Sequence, residues 1–107
     1  MKYISKELAL KYLLNKESIF EKVKNSFLSS YQNHEKDYKK LFDSKDFYQL
    51  EEYVHSLKGL SLNIGAKPLY DVCVEALEYI RFKQWDVFVL NKFYEVLKHT
   101  YEELNSL

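Results

Sequence analysis

His55 is followed by Lys58 and Gly59, residues that one turn of helix would set on the same face as the imidazole. Those three types suit phosphoryl acceptance. A neutral imidazole is nucleophilic within the physiological pH range. The group it would receive carries charge on three equatorial oxygens, so catalysis is mostly positioning and electrostatic stabilisation. A lysine supplies a flexible point charge for those oxygens. A mid-helix glycine costs roughly 1 kcal/mol relative to alanine, and on an exposed face it packs nothing in return. Beside a histidine it leaves the ring open to a bulky partner. The chain has neither a GxxxxGK[ST] loop nor a GxGxxG turn. The phosphoryl group must therefore arrive already activated, on another protein. That reading makes the chain a phosphocarrier, not an enzyme with its own ATP site.

Helices must position this trio. Both glycines and the only proline fall in the stretch from Gly59 to Pro68. The rest has too little turn chemistry for strands and hairpins, and apolar residues recur at helical spacing. Asp46, with Gln49 three residues on, is a capping-box variant that opens a helix over about 46–64. Phe47, Leu50, Val54, Leu57 and Ser61 form its buried stripe. His55 follows Val54, so it lies about 100° round the helix and can face solvent. Glu51, Ser56 and Leu62 are the other residues of this helix expected to meet a partner. Gly65 suits the left-handed geometry of a helix end, and Pro68 the first turn of the next helix. That helix is expected over 68–82, with Leu69, Val72, Cys73, Ala76 and Ile80 inward. Asp86 can cap a last helix over 86–105, with Val89, Phe93, Val96, Thr100 and Leu104 on one side.

Upstream, Ile4, Leu8 and Tyr12 suggest a short cover helix over about 5–14, and Asn15 can cap the second helix. Phe20, Val23, Phe27, Tyr31, Tyr38, Leu41 and Phe42 then predict one long helix over 16–42, with a break near His34 as the main alternative. Asp43-Ser44-Lys45 reads as a turn. The expected architecture over 1–107 is all-α, one domain: an up-and-down antiparallel four-helix bundle with an additional short N-terminal helix.

Composition narrows the function classes. Lysine plus arginine balance aspartate plus glutamate at 16 each, which argues against nucleic-acid binding, where a basic excess neutralises phosphates. A single cysteine, Cys73, cannot form an internal disulfide and points weakly to a reducing compartment. No signal-peptide core interrupts the charged N-terminus, and no apolar run approaches the ~20 residues of a membrane span. A cytoplasmic, monomeric chain without membrane insertion is expected. A domain excised from a larger protein would look the same.

The string His55-Ser56-Leu57-Lys58-Gly59-Leu60-Ser61, with Gly65-Ala66 after it, resembles the motif of histidine phosphotransfer (HPt) domains in two-component phosphorelays. The likeness extends downstream through Leu69 and Cys73, and upstream to Asp46-Phe47 and the aromatic helix before it. The resemblance implies that His55 accepts the phosphoryl group through Nε2, that Lys58 stabilises its oxygens, and that Gly59 gives access. It implies response-regulator receiver domains and a sensor histidine kinase as partners. It implies no cofactor or metal on this chain, since Mg²⁺ belongs to the receiver. One position departs from the family. Many members carry a Gln or Glu on the following helix to orient the imidazole, and that register falls on Leu77. Glu78 is one position away and would reach by a shifted helix; the alternatives are that Glu75, Glu51 or water substitutes, or that nothing orients the ring.

Other readings fit less well. A histidine-kinase dimerisation helix usually has an acidic residue after its histidine and a proline five positions on, where Ser56 and Leu60 stand. His55 has no His or Cys partner at metal-binding spacing. Cys73 falls on an apolar stripe, where thiols are usually inert. The main rival is a helical docking module that binds receiver or kinase domains without phosphotransfer, but docking alone needs no such trio.

Overall fold

The computed structural model describes residues 2–107. These residues form six helices, joined by turns, and no strand. Helix α1 spans Lys6–Tyr12, α2 Glu17–Ser30, α3 His34–Ser44, α4 Phe47–Ser61, α5 Lys67–Arg81 and α6 Val87–Asn105. A 3₁₀ turn, Leu62–Ile64, continues α4 toward α5.

Two helix starts follow directly from local chemistry. Asp46 accepts a hydrogen bond from the Gln49 amide at 3.1 Å, and Asp86 one from Val89 at 2.9 Å. Each satisfies a donor left unpaired in a first helical turn. Pro68 sits in the first turn of α5, where its missing N–H is no loss. Gly65 ends the 3₁₀ turn with φ of 72°. It is required there twice over. A β-carbon would also stand 1.9 Å from the Ser5 carbonyl oxygen, because the N-terminal segment crosses Gly65 closely enough for Ser5 to donate to its carbonyl at 2.8 Å.

The core runs through all six helices. It includes Phe20 and Phe27 of α2, Leu50, Val54 and Leu57 of α4, Leu69, Cys73 and Leu77 of α5, and Leu90, Phe93 and Leu97 of α6. Helix α4 packs along α5, and α5 along α6. Trp85 closes one end, meeting Phe42 and Phe47 at ring-centre distances of 5.4 and 5.7 Å. Ser61 donates to the Lys58 carbonyl and Thr100 to that of Val96, whereas the buried Tyr53 hydroxyl has no hydrogen-bond partner among the described residues. Among the described residues no helix is long and apolar enough to cross a membrane.

Five local expectations are corrected. The single helix over 16–42 is two helices, interrupted at Tyr31–Asn33. Tyr31 packs edge-on against Tyr53 of α4, whereas Tyr38 stacks on Tyr94 of α6 with centres 4.6 Å apart. The aromatics on either side of the break serve different neighbours, and the interruption lets each helix follow its own. Asn15 does not cap α2. It adopts φ of 60° beside Leu14 at 55°, and Lys16 takes the cap position without a side-chain bond. Asp43 and Ser44 belong to α3, leaving Lys45 as the left-handed end. In the cover helix, Ala9 rather than Tyr12 is buried. In α6, Phe93, Thr100 and Leu104 are buried as expected, but Leu90 and Leu97 take the other buried positions and Val89 and Val96 are half-buried beside them.

Candidate functional site

Helix α4 presents the trio as its spacing predicts. Val54, Leu57 and Ser61 are fully buried, and His55 lies one step round the helix, exposed. Lys58 is half-buried. Gly59 is exposed, and a β-carbon added there would meet nothing within 4 Å. No packing contact therefore accounts for a glycine at this position. A shallow hollow of about 330 Å³ is lined by His55, Lys58, Gly59, Leu62 and Tyr70. On the opposite side of the imidazole, a second hollow of about 300 Å³ is lined by Tyr48, Glu51, Glu52, His55 and Arg81. The histidine thus forms a ridge between two open depressions.

Charged groups flank this ridge unevenly. Lys58 is the only cation lining the first hollow. In the second, Arg81 Nε lies 3.4 Å from Glu51 Oε1, and Glu52 stands beside them. Among the described residues, no side chain hydrogen-bonds the His55 ring. Glu78 is exposed and makes no such contact. Leu77, in the orienting register, is buried in the core. Glu75 is drawn to the other side of α5, where Lys92 of α6 lies 3.4 Å away. Glu51 is engaged by Arg81. Neither Glu75 nor Glu78 is therefore brought to the imidazole.

Ser56 also leaves the site. It lines a separate hollow of about 370 Å³ with Tyr31, Leu41, Gln49 and Tyr53, which adjoins the second hollow through Tyr48 and Glu52. That hollow brings together no imidazole, thiol or cation. Cys73 is fully buried. Burial pushes its thiol up to about 12, against the smaller opposing influence of the Lys58 charge. A thiol so placed is protonated near neutral pH and unreactive.

The other histidines are engaged by the fold. His34 Nδ1 lies 3.1 Å from the Tyr94 hydroxyl, with its ring against Tyr101. Burial lowers its pKa below the ordinary value, although Glu35, Glu102 and Asp37 oppose this. His99 stacks on Tyr3 and lies between Glu95 and Glu102.

Tyr48, seven residues before His55 on α4, completes the surroundings of His55 together with Tyr70 and Arg81 of α5, which reading α4 alone does not find. A signal for those two exists. In an antiparallel helix hairpin, residues equally far from its centre face each other. Glu51 and Arg81 are equidistant from Ala66, as are Leu62 and Tyr70, and each pair lines one hollow.

An exposed nitrogen nucleophile, a cation one turn away and a glycine that leaves the approach clear can accept a group carried by a large partner. The arrangement has no phosphate-cradling loop of its own. The family model described as Hpt domain matches residues 22–106, from within α2 to the end of α6. No curated protein and no solved structure matches the chain.

Proposed function

The chain belongs to the Hpt domain family, and from that membership we propose that it is a phosphocarrier of a two-component phosphorelay. In this reading His55 accepts a phosphoryl group from a receiver-domain aspartate or a kinase and passes it to another receiver. The observation that carries the reading is the exposed His55 ring, unengaged by the fold, beside an open Gly59. Nε2 attacks phosphorus in line. The nitrogen–phosphorus bond forms as the acyl-phosphate P–O bond breaks, and the electron pair leaves on the aspartate carboxylate. Nδ1 carries the ring's hydrogen during attack, held by water in place of a protein acceptor. Lys58 neutralises the phosphoryl oxygens. The Mg²⁺ of the reaction is assigned to the receiver. The proposal includes an up-and-down bundle in which α2 with α3, α4, α5 and α6 are the four legs. It also includes a monomeric, cytoplasmic chain whose receiver contacts include Leu62 and Glu51.

Incubation with a phosphorylated receiver tests this. Label should pass to the wild-type chain as an acid-labile, base-stable phosphate, and His55→Gln should remove it. Persistent label on that variant would refute the assignment of His55. Receiver binding with no label on the wild type would instead make the chain a docking module.

A further inference from the structure

Nothing in the sequence requires the break between α1 and α2. The chain from Lys6 to Ser30 contains neither glycine nor proline. It nevertheless turns through two successive left-handed residues, Leu14 with φ of 55° and Asn15 with φ of 60°. That backbone is strained for a residue with a β-carbon, and asparagine tolerates it better than leucine. Tertiary contacts hold the turn. Glu103 accepts from the amides of Lys2, Tyr3 and Ile4, Tyr3 stacks on His99, and Ser5 donates to the Gly65 carbonyl. Ile4 and Ala9 are buried. Across the hinge itself stands the Lys6–Glu17 pair, 2.8 Å long and exposed on both sides, which contributes little.

Glu103, His99 and Gly65 all lie beyond the hinge, so a second copy of the chain presents the same cradle. A short hinge under strain is the feature that invites exchange of the segment before it. A separate observation favours a second copy as the partner. Were α1 and α2 one helix, Leu8, Tyr12, Asn15 and Ile19 would fall on one stripe, at steps of 4, 3 and 4. The turn splits this stripe and leaves Tyr12 54% and Ile19 36% exposed. Two continuous helices related by a two-fold axis would bury the stripe against each other, with Asn15 as its polar member.

We infer that this chain pairs with a second copy of itself by exchanging the segment before the hinge, with Leu13–Lys16 opening into a continuous helix. The contacts of the cradle are conserved, made between copies instead of within one. The left-handed strain is released and the Leu8–Ile19 stripe is covered, against the loss of the Lys6–Glu17 pair and the entropy of association. The closed chain is the monomer of the phosphocarrier reading, and the exchanged dimer carries two His55 side chains. The inference goes beyond that reading and stands without it.

The test is the oligomeric state of the full chain by size-exclusion chromatography with light scattering. Concentrated wild type, warmed to loosen the hinge and then cooled, should yield a dimer beside the monomer. Leu14→Gly should lower the dimerisation constant roughly tenfold for each of the two hinges, since glycine takes the left-handed turn without strain and weakens a continuous helix. Leu14 is 78% exposed, so this variant keeps the closed fold. Asn15→Leu should raise the dimer share, because leucine is worse in the turn and better in the helix. Exchange is separated from simple association by a mixture of two single variants, Tyr3→Cys and His99→Cys, whose native side chains stack within one chain. After warming, cooling and oxidation, the mixture should give a disulfide-linked dimer and neither variant alone should, Cys73 being buried. A wild type that stays monomeric throughout overturns the inference. So does a dimer indifferent to Leu14→Gly, or one whose mixed variants do not cross-link.

Discussion

Substitution of Gly59 should move stability and transfer in opposite directions. A β-carbon at this position meets nothing within 4 Å, so alanine costs no steric strain and fills no cavity. What remains is backbone propensity. Glycine is about 0.8–1.0 kcal/mol less favourable than alanine inside a helix, and part of that gap comes from the entropy of the unfolded chain. Gly59 is near the C-terminal end of α4, which reduces the effect to about 0.5–1 kcal/mol. At about 4–8 °C per kcal/mol for a domain of this size, Gly59→Ala should raise Tm by about 2–8 °C in a thermal melt followed by far-UV circular dichroism. Gly59→Gln should also keep the helix. Its side chain, however, would stand in the hollow shared by His55 and Lys58. Label transfer from a phosphorylated receiver should then fall roughly tenfold or more, about 1.4 kcal/mol of barrier, while Gly59→Ala transfers nearly as wild type. A lower Tm for Gly59→Ala would mean that the backbone needs glycine here for its own sake. Wild-type transfer by Gly59→Gln would mean that partner access does not pass over this residue. Either result refutes the reasoning that ties glycine to an open approach.

Gly65→Ala should lose about 2–4 kcal/mol in urea denaturation. The left-handed φ accounts for about 1–2 kcal/mol, and lifting Ser5 away, with its hydrogen bond to Gly65, adds about 1 kcal/mol or more; an unchanged urea midpoint would contradict the contact. Cys73 should resist a thiol-reactive chromophore at neutral pH until the protein unfolds, since burial holds the thiol at about 12, and rapid native labelling would contradict its placement. Glu103 accepts from the backbone amides of Lys2, Tyr3 and Ile4. Its desolvation raises the pKa, but these bonds together bring it below the ordinary 4.5. A depressed folded pKa contributes stability that is present above the unfolded value and lost as pH falls through the folded one. Wild type should therefore lose stability more steeply than Glu103→Gln as pH drops below about 4.5, and parallel pH profiles would exclude this role.

The parts of the fold legible in the sequence were those set by neighbouring residues. Asp46 and Asp86 as caps, Gly65 as a left-handed end and Pro68 in a first turn depend on backbone groups within a few positions. The exposure of His55 follows in the same way from its offset to Val54 on one helix. The break between α2 and α3 was not settled locally. The helical register of the aromatics carries across the polar stretch 32–37, and the interruption reflects Tyr31 packing toward Tyr53 while Tyr38 packs toward Tyr94. In the first helix, Tyr12 shares a face with Leu8, yet Ala9 is what fits under the chain.

The site divides along the same line. The amino-acid sequence by itself determined His55, Lys58 and Gly59 on one exposed face, because a single helix period relates them. Only the tertiary structure decided what surrounds that face. The α4–α5 hairpin register carries Arg81 to Glu51 and Tyr70 to Leu62. Packing of α5 buries Leu77 in the core and pairs Glu75 with Lys92, so no carboxylate of α5 hydrogen-bonds the imidazole. Those outcomes depend on how two helices pack, and side-chain volume across an interface is not written in the spacing of either helix alone.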